Sequence, residues 1–316
     1  MATADQIKSL IKAHLDRDDE KFKTVVLQIA AYEAKQNHVV LARELKGLLE
    51  KTNFLKNKVV QINNQNNMFI MSMPDNRLSD LVVSEEVYNR IYRVLNEFTN
   101  RNKLKKYGLT NRRKILLEGA PGTGKTLTAS VIASELHLPL FVVQMDKLVT
   151  KFMGETSVKL RQIFDSIYSI IGVYLFDEFD AIGADRSMDN EVGEMRRVLN
   201  SFLQFIEQDS SESIIIAATN NHKILDQALF RRFDDVLHYS LPTKAEVLKL
   251  FEIRLGGFSN LIPSEELVNQ AIHLSQAEIV KVCDDAIKQS ILKDQAISEM
   301  ELKSLITERL SAYKEA

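Results

Sequence analysis

Two glycines, a lysine and a threonine are spaced for phosphate chemistry in Gly119-Ala120-Pro121-Gly122-Thr123-Gly124-Lys125-Thr126. The run fits the pattern G-x-x-x-x-G-K-[ST] at every position. Glycines let backbone N–H groups turn toward a single anion. A helix beginning there would add partial positive charge. Lys125 would reach the β- and γ-phosphates, and Thr126 would offer its hydroxyl to Mg²⁺. Pro121, Gly122, Thr123, Gly124, Lys125, Thr126 and Leu127 are therefore the candidate nucleotide contacts. The flanks agree: Ile115-Leu116-Leu117 reads as a buried strand, and Leu127, Val131, Ile132 and Leu136 recur at helical spacing. A glycine turn without a ligand would need neither flank.

A second constellation lies downstream. Val173-Tyr174-Leu175-Phe176 runs straight into Asp177-Glu178. A buried strand that ends in two acids delivers both carboxylates to the edge where α/β folds bind ligands. Asp177 is the candidate Mg²⁺ partner alongside Thr126, and Glu178 the candidate general base for an attacking water. Asp180 is open between a ligand and a turn cap. Ser213 to Asn220 is another apolar strand, and its tip would lie beside the acid pair. Asn220 carries a donor and an acceptor and so can position water, although an asparagine after a strand also serves a plain turn.

These residues need a frame. Strand candidates Ile115–Leu117, Leu140–Val143, Val173–Phe176, Ile214–Ala218 and Val236–Tyr239 alternate with helical patterns. Continuous apolar strands imply a parallel sheet covered on both faces, with right-handed crossovers. The fold class expected is α/β, a P-loop-type parallel sheet. From Thr243 onward the pattern is helical only, so a boundary is expected near Pro242 and an all-helical domain over 243–316. Upstream, Val87, Ile91, Val94, Leu95 and Phe98 predict a helix over Ser84–Asn100, opening a large domain over 79–242. Residues 53–78, with the polar tract Asn63 to Asn67, read as a linker carrying a small hairpin. Residues 1–52 read as a helical module with three apolar stripes: Ile7, Leu10, Ile11 and Leu15; Val25, Val26, Ile29 and Ala30; and Val40, Leu41, Leu45, Leu48 and Leu49. Periodicity serves a partner tether and a stabilising bundle equally.

Composition narrows the class. Apolar residues make 45% and charged residues 27% of 316, ordinary for a globular protein. A net charge of −2 favours neither nucleic acid nor an anionic membrane. The single cysteine, Cys283, fits a reducing cytosol, so a cytoplasmic location is expected. No apolar run approaches the ~20 residues of a membrane helix. The acid-free run from Arg101 to Lys114 reads either as a solvated basic face or as a nucleic-acid contact. Its lone aromatic, Tyr107, argues against base stacking.

The motifs together resemble the AAA ATPase family. Gly119–Thr126, Leu175–Asp180, Ala217–Asn220 and Leu225 to Asp234 stand in that family's order and spacing, from about Ser79 into the C-terminal helices. The resemblance implies ATP hydrolysis with Mg²⁺, and a C-terminal lid over the nucleotide. It makes Asn220 the sensor residue that watches the γ-phosphate, and it brings Ala277 of Ser275-Gln276-Ala277-Glu278 to the nucleotide. Arg231 and Arg232 match arginines that reach the neighbouring subunit's γ-phosphate, which implies a homo-oligomeric ring, expected to be a hexamer. Phe152-Met153-Gly154 matches an aromatic–hydrophobic–glycine loop facing the pore of protein-translocating rings, with Asp185 to Glu194 as a second pore loop. The function implied is ATP-driven remodelling, unfolding or translocation of protein substrates. Residues 1–52 would then serve an adaptor or a separate protease. The alternatives are a nucleic-acid-associated ATPase and an ATP-dependent assembly switch. The chain departs from the family pattern at Asp80-Leu81-Val82-Val83, where Asp-Ile-Gly-Gly is common, and at Gln276, where glycine is usual.

Overall fold

The structure, a computed structural model, describes residues 8, 9, 12, 19–35, 38, 44, 68–148, 155–179, 189–220, 230–259 and 261–312. The chain divides into two units, Met1–Asn67 and Met68–Ala316. In the first, helix α1 (Asp19–Lys35) buries Val25, Val26, Ile29 and Ala30, the second of the three stripes. The residues of the other two stripes lie outside the described residues.

The second unit opens on strand β1 (Phe69–Ser72), followed by helices α2 (Glu85–Thr99) and α3 (Arg101–Lys105), then β2 (Lys114–Gly119) and α4 (Lys125–Glu135). Next come β3 (Leu140–Val143), α5 (Met145–Leu148), α6 (Glu155–Ser169), β4 (Val173–Phe176), α7 (Asp189–Gln208), β5 (Ile214–Thr219) and β6 (Asp235–Tyr239). The sheet order is β1-β3-β4-β5-β2-β6, parallel except for β1. Every residue of β4 and β5 is buried, which is why their sequences show no alternation.

The segment read as a hairpin in a linker differs. Phe69-Ile70-Met71-Ser72 pairs antiparallel with β3, Phe69 opposite Val143, and becomes an edge strand of the main sheet. Its partner is some 70 residues away, so no local turn signal marks it. Phe69 holds the register by packing edge-on to Phe141 and Tyr174, at 6.0 and 5.8 Å between ring centres.

One sheet face packs on α2 and α4 through Ile91, Val94, Ile132, Leu117, Leu175 and Ile216. Ser84 caps α2 by accepting from the Val87 N–H. The other face carries aromatics: Phe202 of α7 meets Phe164, Phe176 and Phe179 at 5.9, 5.0 and 4.5 Å.

The basic run stitches the sheet's lower edge. Arg101 and Lys105 pair with Glu212, Arg112 with Glu97, and Arg113 with Asp209. Lys114 Nζ donates to the Ile206 carbonyl at 2.5 Å. These five cations are engaged within the fold.

The helical part comprises α8 (Lys244–Leu255), α9 (Glu265–Ala271), α10 (Gln276–Lys293) and α11 (Glu299–Ala312). Thr243, Ser264 and Ser275 cap the first three. Their core gathers Val247, Phe251, Leu267, Ile279, Val282 and Leu302. Cys283 is buried there, and burial pushes its thiol up to about 12, so it stays a neutral apolar filler. Leu81 belongs to the sheet core, yet its neighbour Val82 belongs to the helical core. Among the described residues no helix is long and apolar enough to cross a membrane.

Candidate active site

Three strands end side by side with chemistry at their tips. β5 pairs in parallel with both β2 and β4. Gly119, Asp177 and Asn220 therefore leave the same edge of the sheet, the edge at which open α/β sheets hold ligands.

The loop after β2 needs its glycines. Gly122 has φ 78° and Gly124 φ 100°, left-handed conformations that glycine adopts without strain. Thr123 Oγ1 donates to the Ala120 carbonyl at 2.7 Å and closes the loop on itself. Gly124 then caps α4, and the start of that helix offers N–H groups to an anion. Lys125 Nζ donates to the carbonyls of Gly119 and Ala120, at 2.8 and 2.9 Å, and to Asn220 Oδ1 at 2.8 Å.

Thr126 Oγ1 donates to Asp177 Oδ2 at 2.7 Å, joining the loop to β4. These are two hard oxygen donors beside a phosphate cradle. They fit Mg²⁺, which takes one or two protein oxygens and completes its shell with phosphate and water. The other Asp177 oxygen accepts from the Glu178 N–H at 2.9 Å. That turn sets Glu178 at φ 52°, left-handed and costly for a side chain with Cβ, by roughly 1–2 kcal/mol. Phe176 and Phe179, both buried, clamp the turn on either side. The Glu178 carboxylate is consequently presented to the outside.

A cavity of about 560 Å³ spans these groups. It falls in the range of small-ligand sites. The phosphate loop from Pro121 to Leu127, Asp177, Glu178 and Asn220 line it, together with Leu81 and Val82 and, from the helical part, Leu250, Ile253, Gln276, Ala277 and Val280. The helical part docks directly on the loop. Ala277 N–H donates to the Gly122 carbonyl at 2.9 Å, and a Cβ on Gly122 would stand 2.4 Å from Ser275 Oγ.

Comparison with known proteins agrees with this geometry. The model of the ATPase family associated with various cellular activities (AAA) matches residues 115–241. An uncharacterized AAA family ATPase, y4kL, of Sinorhizobium fredii is 34% identical over 304 residues, covering 93% of this chain and 91% of that protein. This chain belongs to the AAA family of ATPases. As such it binds nucleotide and hydrolyses ATP. An ATP-dependent zinc metalloprotease FtsH 2 of a Thermoanaerobacter species is 29% identical over 226 residues, 69% of this chain but 44% of that protein. A putative 26S proteasome regulatory subunit homolog of Methanocaldococcus jannaschii is 27% identical over 247 residues, 76% of this chain and 66% of that protein.

In this AAA ATPase the expected groups do not all converge. Lys125, Thr126, Asp177, Glu178, Asn220 and Ala277 line one cavity. Arg231 and Arg232 are not among its lining residues: Arg231 is exposed, and Arg232 Nε pairs with Glu207 at 3.3 Å. Phe152, Met153, Gly154 and Asp180 lie outside the described residues, as does the start of the second pore loop. Gln276 adopts the first helical position of α10 behind its Ser275 cap, so that position needs no glycine freedom. Sequence reasoning missed the cavity roles of Leu250, Ile253 and Val280. A signal existed for Ile253: it lies off the Val247, Leu250, Phe251, Leu255 stripe and is 44% exposed, an apolar residue the helical core does not use.

Proposed function

We propose that this AAA ATPase works as a homo-oligomeric ring that uses ATP hydrolysis to remodel, unfold or translocate protein substrates. The observation that carries the ring is the position of Arg231 and Arg232. The cavity holds the other hydrolytic groups, yet these two guanidiniums lie outside its lining. A guanidinium suits the spread charge of a transferring phosphoryl group, and from this position it would serve a neighbour's site rather than its own. Likeness to the metalloprotease and to the proteasome regulatory subunit homolog supports protein as the substrate class.

Within one site, Lys125 would leave the loop carbonyls for the β- and γ-phosphates. Asn220 Oδ1, released from that ammonium, would accept from the attacking water. Glu178 would take the water's proton as the oxygen closes on the γ-phosphorus and ADP leaves. Thr126 and Asp177 would hold Mg²⁺, which would neutralise charge on the phosphate oxygens. Phe152 and Met153 would grip an extended chain by area and so tolerate many side chains. Residues 1–52 would recruit an adaptor or a separate protease.

Two measurements test this. Glu178→Gln is expected to bind ATP and turn it over at least ~100-fold slower. Phe152→Ala is expected to hydrolyse ATP but to lose coupled remodelling of a model unfolding substrate. Undiminished remodelling by Phe152→Ala would remove the threading step. A ring that keeps its function when locked on ATP by Glu178→Gln would make it an assembly switch instead.

A further inference from the structure

We propose that Tyr239 is a positioning residue for ATP hydrolysis, bracing both ends of the phosphate loop from β6. The loop hangs between Gly119, where β2 stops, and Gly124, which caps α4. Tyr239 lies opposite Gly119 in the pairing of β2 with β6. The two backbones are so close that a Cβ on Gly119 would stand 2.2 Å from the Tyr239 carbonyl oxygen. The first end of the loop is thereby pressed against β6, an approach that the missing side chain of glycine permits.

The second end is reached by the side chain. The Tyr239 ring is 7% exposed and packs in the sheet core. Its hydroxyl lies 2.7 Å from Oγ1 of Thr128, a fully buried residue of α4. Thr128 Oγ1 in turn donates to the Gly124 carbonyl at 3.0 Å. A carbonyl can only accept, so the single threonine proton is committed there. The proton between the two hydroxyls must then come from Tyr239. Burial holds the phenol above its ordinary pKa, so that proton stays in place. The result is a one-way relay, from Tyr239 O–H through Thr128 O–H to Gly124 C=O. That carbonyl shares its peptide unit with the Lys125 N–H. The latter stands in the first turn of α4, where N–H groups face an anion rather than a helical acceptor. Hydrogen bonds in a chain polarise one another, by about 10–30% per bond. The relay therefore makes the Lys125 N–H a better donor to phosphate and fixes the angle at which it is presented. A contact of this kind serves ground state and transition state alike, so it shows in KM and not in kcat.

The proposal rests on residues 119–126 being the phosphate seat. The full-length protein is assayed for ATP turnover, ADP affinity and melting temperature. Tyr239→Phe keeps the ring and loses the O–H. It is expected to raise KM for ATP and to weaken ADP binding roughly three- to tenfold, the step of one hydrogen bond, with kcat within about twofold of wild type. Thr128→Val, of the same shape, is expected to do at least as much. Thr128→Ser keeps the hydroxyl and should stay within about twofold of wild type. Tyr239→Phe should add no further loss to Thr128→Val, because the relay is already cut. Unchanged KM and ADP affinity in Tyr239→Phe overturn the proposal and make Tyr239 a packing residue, whatever its melting temperature. A loss confined to kcat, losses that add in the double variant, or a Thr128→Ser as weak as Thr128→Val overturn it too. Unweakened ATP binding by Lys125→Ala would strike instead at the phosphate seat itself.

Discussion

Lys125 Nζ donates to Asn220 Oδ1 across 2.8 Å, so the cation of the phosphate loop and the amide at the tip of β5 hold each other. Replacing that amide by a carboxylate strengthens the hold. We expect Asn220→Asp to bind ATP at least about tenfold more weakly than wild type, because the lysine must leave a charge-assisted bond to reach phosphate. Asn220→Ala should bind ATP within about threefold of wild type and lose turnover by roughly 100-fold, the scale of one lost positioning contact. Equilibrium binding beside steady-state turnover separates the two variants.

Glu178 occupies left-handed backbone at φ 52°. Asparagine tolerates that conformation better than glutamate does. Glu178→Asn should therefore melt about 2 °C higher in the absence of nucleotide while hydrolysis falls at least ~100-fold. A lower melting temperature would mean that the turn is not strained.

Gly122→Ala places a Cβ 2.4 Å from Ser275 Oγ in a backbone that already has φ 78°. The helical part must then lift from the loop. ATP affinity should drop by at least about tenfold, and Ser275→Gly in the same chain should restore only part of it, since the backbone strain remains. Full restoration would show that crowding alone was at fault.

Asp285 links α10 and α11 through Arg309 at 2.8 Å. Hydrogen bonding to Lys288, then to Arg309, holds its carboxyl below the usual aspartate value. A depressed carboxylate stabilises the fold above its ordinary pKa and loses that stabilisation as pH falls through its folded value. Arg309→Gln should accordingly melt lower than wild type at pH 7. The two curves should approach each other below about pH 4. Parallel curves down to acid would remove Asp285 from the account.

Much of this frame is legible in the sequence. β3 and β4 run over Leu140–Val143 and Val173–Phe176, as their apolar runs imply, because strands buried on both faces carry the signal in every residue. The phosphate loop was readable for the opposite reason, since its backbone angles leave room for few residues but glycine. Phe69–Ser72 was not, because what makes it a strand is a distant partner. The cavity wall at Leu250 and Val280 was hidden inside helical stripes. A residue that packs a core on one side and a ligand on the other looks, in one dimension, like any core residue.

Leu81 and Val82 are adjacent in the chain but sunk into separate cores. Consecutive Cα atoms are tied 3.8 Å apart, and that link cannot stretch. The four C-terminal helices therefore cannot swing without tugging on a wall of the cavity, the proposed seat of the nucleotide. What fills the seat and how far those helices lean are geared together by a single peptide unit, the shortest lever a polypeptide can make.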